Sequence, residues 1–407
     1  MKKIVLSFFF CAVFSFAFAQ NKDFYLHWAS NVAQSDMKRN PEGWMVDFNT
    51  HPKWDYCQGL MCTALLDLYS HTQNKALYQY VLNFGEFMID SSGIVSTYKL
   101  SEYSLDRING GKFLFTLYDS TQSPRYLKAI QTFREQLKTH PRTSEGGFWH
   151  KAIYPHQMWL DGIYMASPFL AEYAKRFNDP DLFNDVVNQI VLIAKHTYDP
   201  KTGLYFHGWD ESKEQKWVNK TTGQSPNFWG RSMGWYMMAL VDVLDFLPQD
   251  HPQRQEIINI LKHLSKTLLN YQDKQSGLWY QVTDKPGVKG NYLESSCTAM
   301  FLYAMTKGAN KKYLDQSYLK FSRKTFNLFI KNACRIDASP QPPSKEGEKS
   351  AQMYTITKAC AVAGLGGNPY RDGTYDYYVN EPQRDNDPKV LGPFILWCCQ
   401  LADSERK

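Results

Sequence analysis

Apolar residues recur every three or four positions in six segments of the chain, which is the spacing of one helix face. In the segment from Trp159, for example, Ile163, Ala166, Leu170 and Ala174 fall on one stripe of a predicted helix. Each segment opens with an aromatic or apolar residue, continues with a polar or charged one, and then becomes almost wholly apolar. The six segments begin at Trp54, Tyr103, Trp159, Trp229, Tyr292 and Val390. Helices that are apolar nearly all round are buried, so we predict six core helices.

Helices with one charged face alternate with these apolar segments. They are predicted over residues 75–90, 124–138, 180–197 and 252–272. Pro124, Pro180 and Pro252 stand where three of them begin, a position that tolerates proline because its N–H has no helical partner. The sequence therefore predicts an all-α fold. About six alternations fit an (α/α)6 barrel of six inner and six outer helices, and a superhelical solenoid of helix pairs is the alternative.

Short pieces that combine glycine with aromatic residues precede several apolar segments. They cover residues 146–150, 202–210 and 276–282. We predict that they form short strands or extended loops at one mouth of the barrel. The stretch 338–350 is rich in proline and serine, and we predict an exposed loop there rather than a domain boundary.

The first nineteen residues have the pattern of an export signal. Two lysines precede an apolar run, and the small residues Ala17 and Ala19 form a cleavage site. The run is shorter than the ~20 residues of a spanning helix, and Cys11 lies inside it, so we expect neither a membrane anchor nor a lipoprotein. We predict a signal peptide over 1–19, cleaved after Ala19, and one domain over 20–407. The mature protein is then periplasmic or secreted.

Charge and cysteine content exclude several classes of function. The formal charge of the whole chain is +6, and removal of the two lysines in the signal leaves +4 (6 − 2). This excess is too small and too evenly spread for nucleic-acid binding. The seven cysteines outside the signal form no CxxC pair and lie in apolar surroundings, so we expect buried thiols. Phosphate-binding and metalloprotease motifs are absent, and no metal or cofactor is predicted.

Isolated charges recur near the starts of the apolar segments, in otherwise uncharged surroundings. They are Asp55, Asp106, Asp161, Arg231 and Glu294. Each could be explained singly, as a helix N-cap or as half of a buried ion pair. The inner helices of such a barrel run parallel, however, so their N-termini gather at one end. We therefore predict that these charges converge on one pocket ringed by aromatic residues.

The signs of these charges indicate acid–base chemistry on an anionic ligand. Asp161 and Asp106 are candidate acid–base carboxylates. A helix N-terminus lowers the pKa of a carboxyl group, whereas burial beside Trp and Tyr raises it; for Asp161, the more isolated of the two, we expect a raised pKa and hence the protonated form that a general acid needs. Arg231 suits an anionic group, since a guanidinium binds a carboxylate through two hydrogen bonds. His207, in YFHGWD, either hydrogen bonds substrate or is structural. Aromatic residues, 15% of the chain, either stack on a sugar or fill the core.

Five motifs follow one another along the chain: WLDGIYMASPFLAEYA, YFHGWD, WGRSMGWY, VAGLGGNPYRDGTYDYYV and NDPKVLGPFI. In sequence and order they resemble the unsaturated rhamnogalacturonyl hydrolases of glycoside hydrolase family 105. The unsaturated glucuronyl hydrolases of family 88 are similar but more distant. The resemblance, which extends from about Trp54 to Leu401, implies an (α/α)6 barrel. It also implies a substrate, the 4-deoxy-hex-4-enuronic acid that a polysaccharide lyase leaves at a non-reducing end.

The resemblance further implies roles for individual residues. The Asp of the W-x-D-G motif, here Asp161, is the general acid/base, and the family's second active-site Asp falls on Asp106. The positions expected to bind substrate are Lys151, Trp159, His207, Trp229 and Arg231. One departure is visible, because Ser232-Met233 replaces the Gly-Asn that commonly follows the arginine in this family.

Taken with the export signal, these features predict an exported hydrolase that removes the 4,5-unsaturated uronic acid from lyase-generated oligosaccharides, with rhamnogalacturonan as the parent polysaccharide. An unsaturated glucuronyl hydrolase for ulvan or glycosaminoglycan fragments is the alternative. A sugar epimerase would use acid and base histidines, which do not recur at the starts of the inner helices. A glycan-binding protein would keep the aromatic residues without needing two buried carboxylates. The expected partner is an oligosaccharide, with no nucleic acid and no membrane after cleavage.

Overall fold

The computed structural model describes residues 22–338 and 352–405. Its helices are, in chain order, α1 (Lys22–Arg39), α2 (Tyr56–Thr72), α3 (Lys75–Met88), α4 (Leu105–Asn109), α5 (Leu114–Thr121), α6 (Pro124–Thr139), α7 (Leu160–Arg176), α8 (Asp181–Thr197), α9 (Gly230–Val243), α10 (Arg254–Leu268), α11 (Ser295–Asn310), α12 (Ser317–Ala333), α13 (Tyr375–Asn380) and α14 (Pro388–Ser404). Its strands are β1 (Gln157–Trp159), β2 (Gly208–Asp210), β3 (Trp279–Tyr280), β4 (Leu293–Glu294), β5 (Cys334–Ala338), β6 (Gln352–Ile356), β7 (Ala359–Cys360) and β8 (Gln383–Arg384). The predicted signal peptide over 1–19 lies outside the described residues, as does nearly all of the predicted loop over 338–350.

The inner helices form a closed ring in which each position packs against the next. The ring runs through α2, the pair α4 and α5, α7, α9, α11 and α14, and α14 packs back against α2. The outer helices α1, α3, α6, α8, α10 and α12 cover this ring. The predicted (α/α)6 barrel is confirmed, and the solenoid alternative is wrong because a solenoid leaves its two ends apart.

Burial follows the apolar pattern of the sequence. Every residue of α11 is buried, as expected for a helix enclosed on all sides. The outer helix α10 buries one face, which includes Ile257, Leu261 and Leu264, and exposes Glu256, Lys262 and Lys266. Outer helices α1 and α12 were not among the predicted segments, although both bury one face in the same way.

The second inner position differs from the single helix that the sequence predicts from Tyr103. Here α4 ends at Asn109, and α5 begins at Leu114 after a turn. The break lies where α2 and α4 approach each other closely: a Cβ on Gly59 of α2 would lie only 2.2 Å from the Asn109 carbonyl oxygen. Glycine lets α2 and α4 touch through their backbones at this point.

Short antiparallel strand pairs lead directly into the inner helices, as predicted for one mouth of the barrel. Strand β1 ends at Trp159, immediately before α7, and β4 ends at Glu294, immediately before α11. In the pairing of β1 with β2, Trp159 lies opposite Gly208. The predicted piece 146–150 forms only an isolated bridge, from Phe148 to Arg142. The hairpin of β5 and β6 was not predicted.

Two further properties bear on the sequence predictions. Within residues 22–338 and 352–405, no helix is both long and apolar enough to cross a membrane. The seven cysteines in these ranges are all unpaired, and six of them are buried.

Candidate active site

The N-terminal ends of the inner helices carry the predicted charges at one mouth of the barrel. Asp106, Asp161 and Arg231 lie in the first turns of α4, α7 and α9. The other two positions are N-caps: Asp55 accepts a hydrogen bond from the Tyr56 amide, and Glu294 accepts one from the Cys297 amide. The N-cap interpretation therefore holds for Asp55 and Glu294, whereas the side chains of the other three make no cap.

Asp161 is a buried carboxylate, and one of its oxygens has no hydrogen-bond partner among the described residues. It is 8% exposed, and its Oδ2 lies 3.2 Å from Nε2 of His207. The two atoms are within ion-pair distance but not aligned as a hydrogen bond, and no other described residue hydrogen bonds either of them. A buried polar atom without a partner is costly. Both atoms are therefore suited to bind a group that enters the mouth.

The pairing of β1 with β2 explains why His207 lies beside Asp161. The Leu160 amide donates to the His207 carbonyl oxygen at 3.0 Å, which fixes the start of α7 against the strand. On its other side, Nδ1 of His207 is 2.7 Å from the Tyr378 hydroxyl. Tyr378 thus fixes the imidazole through Nδ1, while Nε2 faces the Asp161 carboxylate.

Asp106 is engaged by two basic side chains. Nζ of Lys151 lies 2.5 Å from its Oδ2, and Nε2 of His150 lies 3.5 Å from its Oδ1. Burial opposes the charge on Lys151, but the Asp106 carboxylate outweighs it and raises the pKa of that ammonium. Burial, together with the positive charge of Lys151, holds the pKa of His150 well below its usual value. Lys151 is therefore charged and His150 neutral near pH 7.

His150 links the two predicted carboxylates. Its Nε2 contacts Asp106, and its Nδ1 lies close to α7. A Cβ on Gly162 would be only 3.0 Å from this Nδ1. The glycine after Asp161 in the W-x-D-G motif thus leaves room for the imidazole. The negative charge of Asp161 also acts on His150. The structure therefore brings both carboxylates to the same place, around one histidine.

An aromatic stack forms one wall of the mouth. The Trp159 ring stacks on His150, with centroids 4.3 Å apart, and on Tyr154, at 4.8 Å. Arg371 donates a hydrogen bond to the Tyr154 hydroxyl at 2.7 Å and lies over the face of the indole. The stack therefore supplies apolar ring faces beside a cation.

Trp229 and Arg231 form the opposite side of His207. The indole centroid lies 4.7 Å from the imidazole, and its Nε1–H donates to Gln281. The Arg231 guanidinium lies 4.6 Å over the indole and is only 1% exposed. It donates to the Cys360 carbonyl oxygen, and among the described residues its buried Nε has no partner. Arg231 is thus largely held by the protein itself.

All seven predicted site residues thus lie in one connected cluster. Sequence reasoning assigned no role to four other members of it: His150, Tyr154, Arg371 and Tyr378. His150 directly precedes Lys151 and gave no separate signal. Arg371 and Tyr378 lie in the motif VAGLGGNPYRDGTYDYYV, where only a spatial argument could have selected them. The described residues contain one His/Cys/carboxylate group with metal-compatible spacing, and none of its members belongs to this cluster.

The chain is similar to known proteins over most of its length. Residues 28–404 match the family model described as Glycosyl Hydrolase Family 88. A solved glycoside hydrolase from family 105 of C. acetobutylicum is similar over 92% of this chain and 99% of its own, with 38% identity and a TM-score of 0.85. Protein Atu3128 of Agrobacterium fabrum is 35% identical over 57% of this chain and 96% of its own length.

A third relative is the unsaturated rhamnogalacturonyl hydrolase YesR of Bacillus subtilis. It is 26% identical to this chain over 272 residues, which are 65% of this chain and 74% of YesR. The family model and the family 105 structure each span most of the chain. The chain is therefore a glycoside hydrolase that belongs to family 88 and is related throughout the barrel to family 105.

Proposed function

We propose that this glycoside hydrolase removes a 4,5-unsaturated uronic acid from the non-reducing end of lyase-generated oligosaccharides, with rhamnogalacturonan as the parent polysaccharide. One observation carries the proposal: the buried Asp161 oxygen that no described residue hydrogen bonds, beside His207, whose ring contacts both Trp159 and Trp229. The relatedness to YesR, named an unsaturated rhamnogalacturonyl hydrolase, supports the substrate class.

The chemistry starts from the vinyl ether of the unsaturated ring. Protonated Asp161 gives its proton to C4, and the resulting cation at C5 is stabilised by the ring oxygen. Water then adds at C5 while the Asp161 carboxylate takes up the proton that the water loses. The product is a hemiketal, which opens and expels the rest of the oligosaccharide. One carboxylate serves both steps, unlike the carboxylate pair of retaining and inverting glycosidases.

The neighbouring residues would position the uronate. The Asp106 carboxylate, fixed by Lys151, would accept hydrogen bonds from ring hydroxyls. Trp159, in the wall of the mouth, would stack on the sugar ring. Trp229 was also expected to stack, but it is only 1% exposed and contacts Arg231 and His207 instead. Lys151 or Arg231 would hold the anionic part of the substrate, although each already makes contacts within the protein.

We also propose that the protein is exported. The support is the pattern of residues 1–19, in which a charged start, an apolar run and a small-residue cleavage site follow one another. N-terminal sequencing of the protein recovered from the native cell envelope or medium should begin at Gln20. Recovery of the uncleaved chain in the cytosol would reject this proposal.

The activity is tested by incubation with rhamnogalacturonan fragments made by a lyase. The wild type should remove the ultraviolet absorbance of the C4=C5 double bond, and Asp161→Asn should leave it unchanged. Asp23→Asn, which alters an exposed carboxylate of the outer helix α1, is the matched control and should react like the wild type. Thermal unfolding of all three would establish that Asp161→Asn is folded.

Two outcomes would count against the proposal, and they differ in meaning. Persistent absorbance with the wild type would reject removal of an unsaturated uronate from this substrate, as expected for an epimerase or a binding protein. Near-wild-type loss of absorbance by Asp161→Asn would keep the activity and reject Asp161 as its acid and base. A panel of lyase products from rhamnogalacturonan, ulvan and glycosaminoglycans would identify the parent polysaccharide.

A further inference from the structure

A second group of reactive side chains lies at the opposite end of the barrel, near the C-termini of two inner helices. Helix α2 contributes Asp67 and His71, and α14 contributes Cys399 and Asp403. Residues four apart lie on one face of a helix, and α2 packs directly against α14. We propose that these four side chains bind a zinc ion between the first and the last inner helix.

The distances within this group suit a single ion. One potential ligand atom from each of Asp67, His71 and Cys399 lies within 4.8 Å of the other two. Oδ1 of Asp403 lies 3.1 Å from Nε2 of His71. Ligand atoms at about 2.0–2.3 Å from a tetrahedral zinc are about 3.5 Å from one another. The side chains therefore need to move together by about 1 Å, which rotamer adjustments can supply.

The histidine is already oriented as a ligand. Its Nδ1 lies 2.8 Å from the Asp67 carbonyl oxygen, and because a carbonyl oxygen only accepts, Nδ1 is the donor. On the other side of the ring, Nε2 donates a hydrogen bond to Oδ1 of Asp403 at 3.1 Å, and zinc would take the place of that proton. A metal-binding histidine commonly donates its second ring N–H to a carbonyl or carboxylate in this way.

The ligand types favour zinc over the alkaline-earth ions, and a cavity gives the ion access to them. A thiolate and an imidazole are soft or borderline ligands that suit zinc, whereas magnesium and calcium prefer oxygen ligands alone. Cys399 is fully buried at the base of the group. Asp67 and Asp403 line a cavity of about 760 Å³ at this end of the barrel, through which an ion can enter.

The ion would have a structural effect that is separate from the chemistry at the mouth. It would cross-link α2 to α14 where the ring of inner helices closes, and metal binding to the folded state alone stabilises that state. The sequence predicts no metal, because the two halves of the group stand at opposite ends of the chain and neither half matches a known motif. Only the closed ring brings them together.

The full chain, stripped with a chelator, tests the proposal by titration with zinc chloride. We expect one zinc per chain by elemental analysis after dialysis and an upward shift of the melting temperature. Cobalt(II) should give a thiolate-to-metal charge-transfer band. Cys399→Ser should abolish the band and the shift, and Asp403→Asn, a partly exposed change that preserves the fold, should weaken zinc binding at least about tenfold.

Cys398→Ser is the matched control, since Cys398 is an equally buried neighbour outside the group. It should retain the zinc, the cobalt band and the thermal shift. The proposal is overturned if the wild type binds no zinc after dialysis, or if Cys398→Ser loses binding as fully as Cys399→Ser. It is also overturned if zinc binds equally well to Cys399→Ser and Asp403→Asn, because the metal would then lie elsewhere.

Discussion

Asp36, on the outer helix α1, is a carboxylic acid that the fold keeps almost out of water, and its replacement by asparagine should stabilise the protein above neutral pH. The side chain is 3% exposed. It accepts one hydrogen bond from Asn40 at 2.9 Å, and the charge of nearby Arg39 favours its ionised form. Burial outweighs both and raises its pKa to about 7.

The sign and size of the effect follow from this pKa. Between about pH 4 and pH 7 the folded chain holds a proton that the unfolded chain has released, so stability falls as the pH rises through this window. Above pH 7 the carboxyl group is ionised in both the folded and the unfolded chain, so the stability contributed by the bound proton has been lost in full. The interval from 3.8 to about 7, at about 1.4 kcal/mol per pKa unit, corresponds to about 4 kcal/mol. Asp36→Asn removes this penalty and can still accept from Asn40.

Urea denaturation at about pH 4.5 and about pH 8 measures the difference directly. Asp36→Asn should have nearly wild-type stability at the lower pH and exceed the wild type by up to about 4 kcal/mol at the higher one. Asp23→Asn, an exposed change on the same helix, should show no such gain. An Asp36→Asn variant whose advantage is equal at both pH values, or absent at the higher one, would refute the reasoning.

Three further changes test other parts of the structure. Burial lowers the pKa of His140 to about 4, so its contribution to stability should be lost as the pH falls from about 6.5 to about 4, opposite in sign to that of Asp36. In urea denaturation, the stability of the wild type relative to His140→Phe should therefore decrease over this interval. Gly59→Ala places a Cβ 2.2 Å from the Asn109 carbonyl oxygen and should cost about 3 kcal/mol or more, measured by thermal unfolding. Lys151→Met removes the 2.5 Å ion pair of Asp106. It should lower kcat/KM on the unsaturated oligosaccharide about 100-fold, and a wild-type value would contradict that pair's role.

The sequence was most informative where burial alone decides the pattern. The six apolar segments each became an inner position of the ring, because a helix enclosed on all sides must be apolar all round. The outer helices were harder to detect, because each has only one apolar face, and α1 and α12 were not predicted. The break after α4 lies at a contact between Gly59 and Asn109, which are far apart along the chain. No local pattern reveals such a contact.

The same distinction applies to the site. Asp161 and Arg231 stand out as lone charges in apolar sequence, and their gathering at one mouth follows from parallel inner helices. The partners that hold them do not stand out. Tyr378 reaches His207 from the short helix α13, late in the chain. The Cys360 carbonyl oxygen that accepts from Arg231 is a backbone atom, so no residue type in the sequence could indicate it.

The packing of α14 against α2 has a consequence for how the protein is made. Helix α2 is synthesised long before α14, so the sixth side of the ring is missing until α14 has also left the ribosome. During that time the flank of α2 that α14 covers stays open to chaperones and to other nascent chains. A truncation at Asn380, although it removes only one long helix, would leave the ring permanently open.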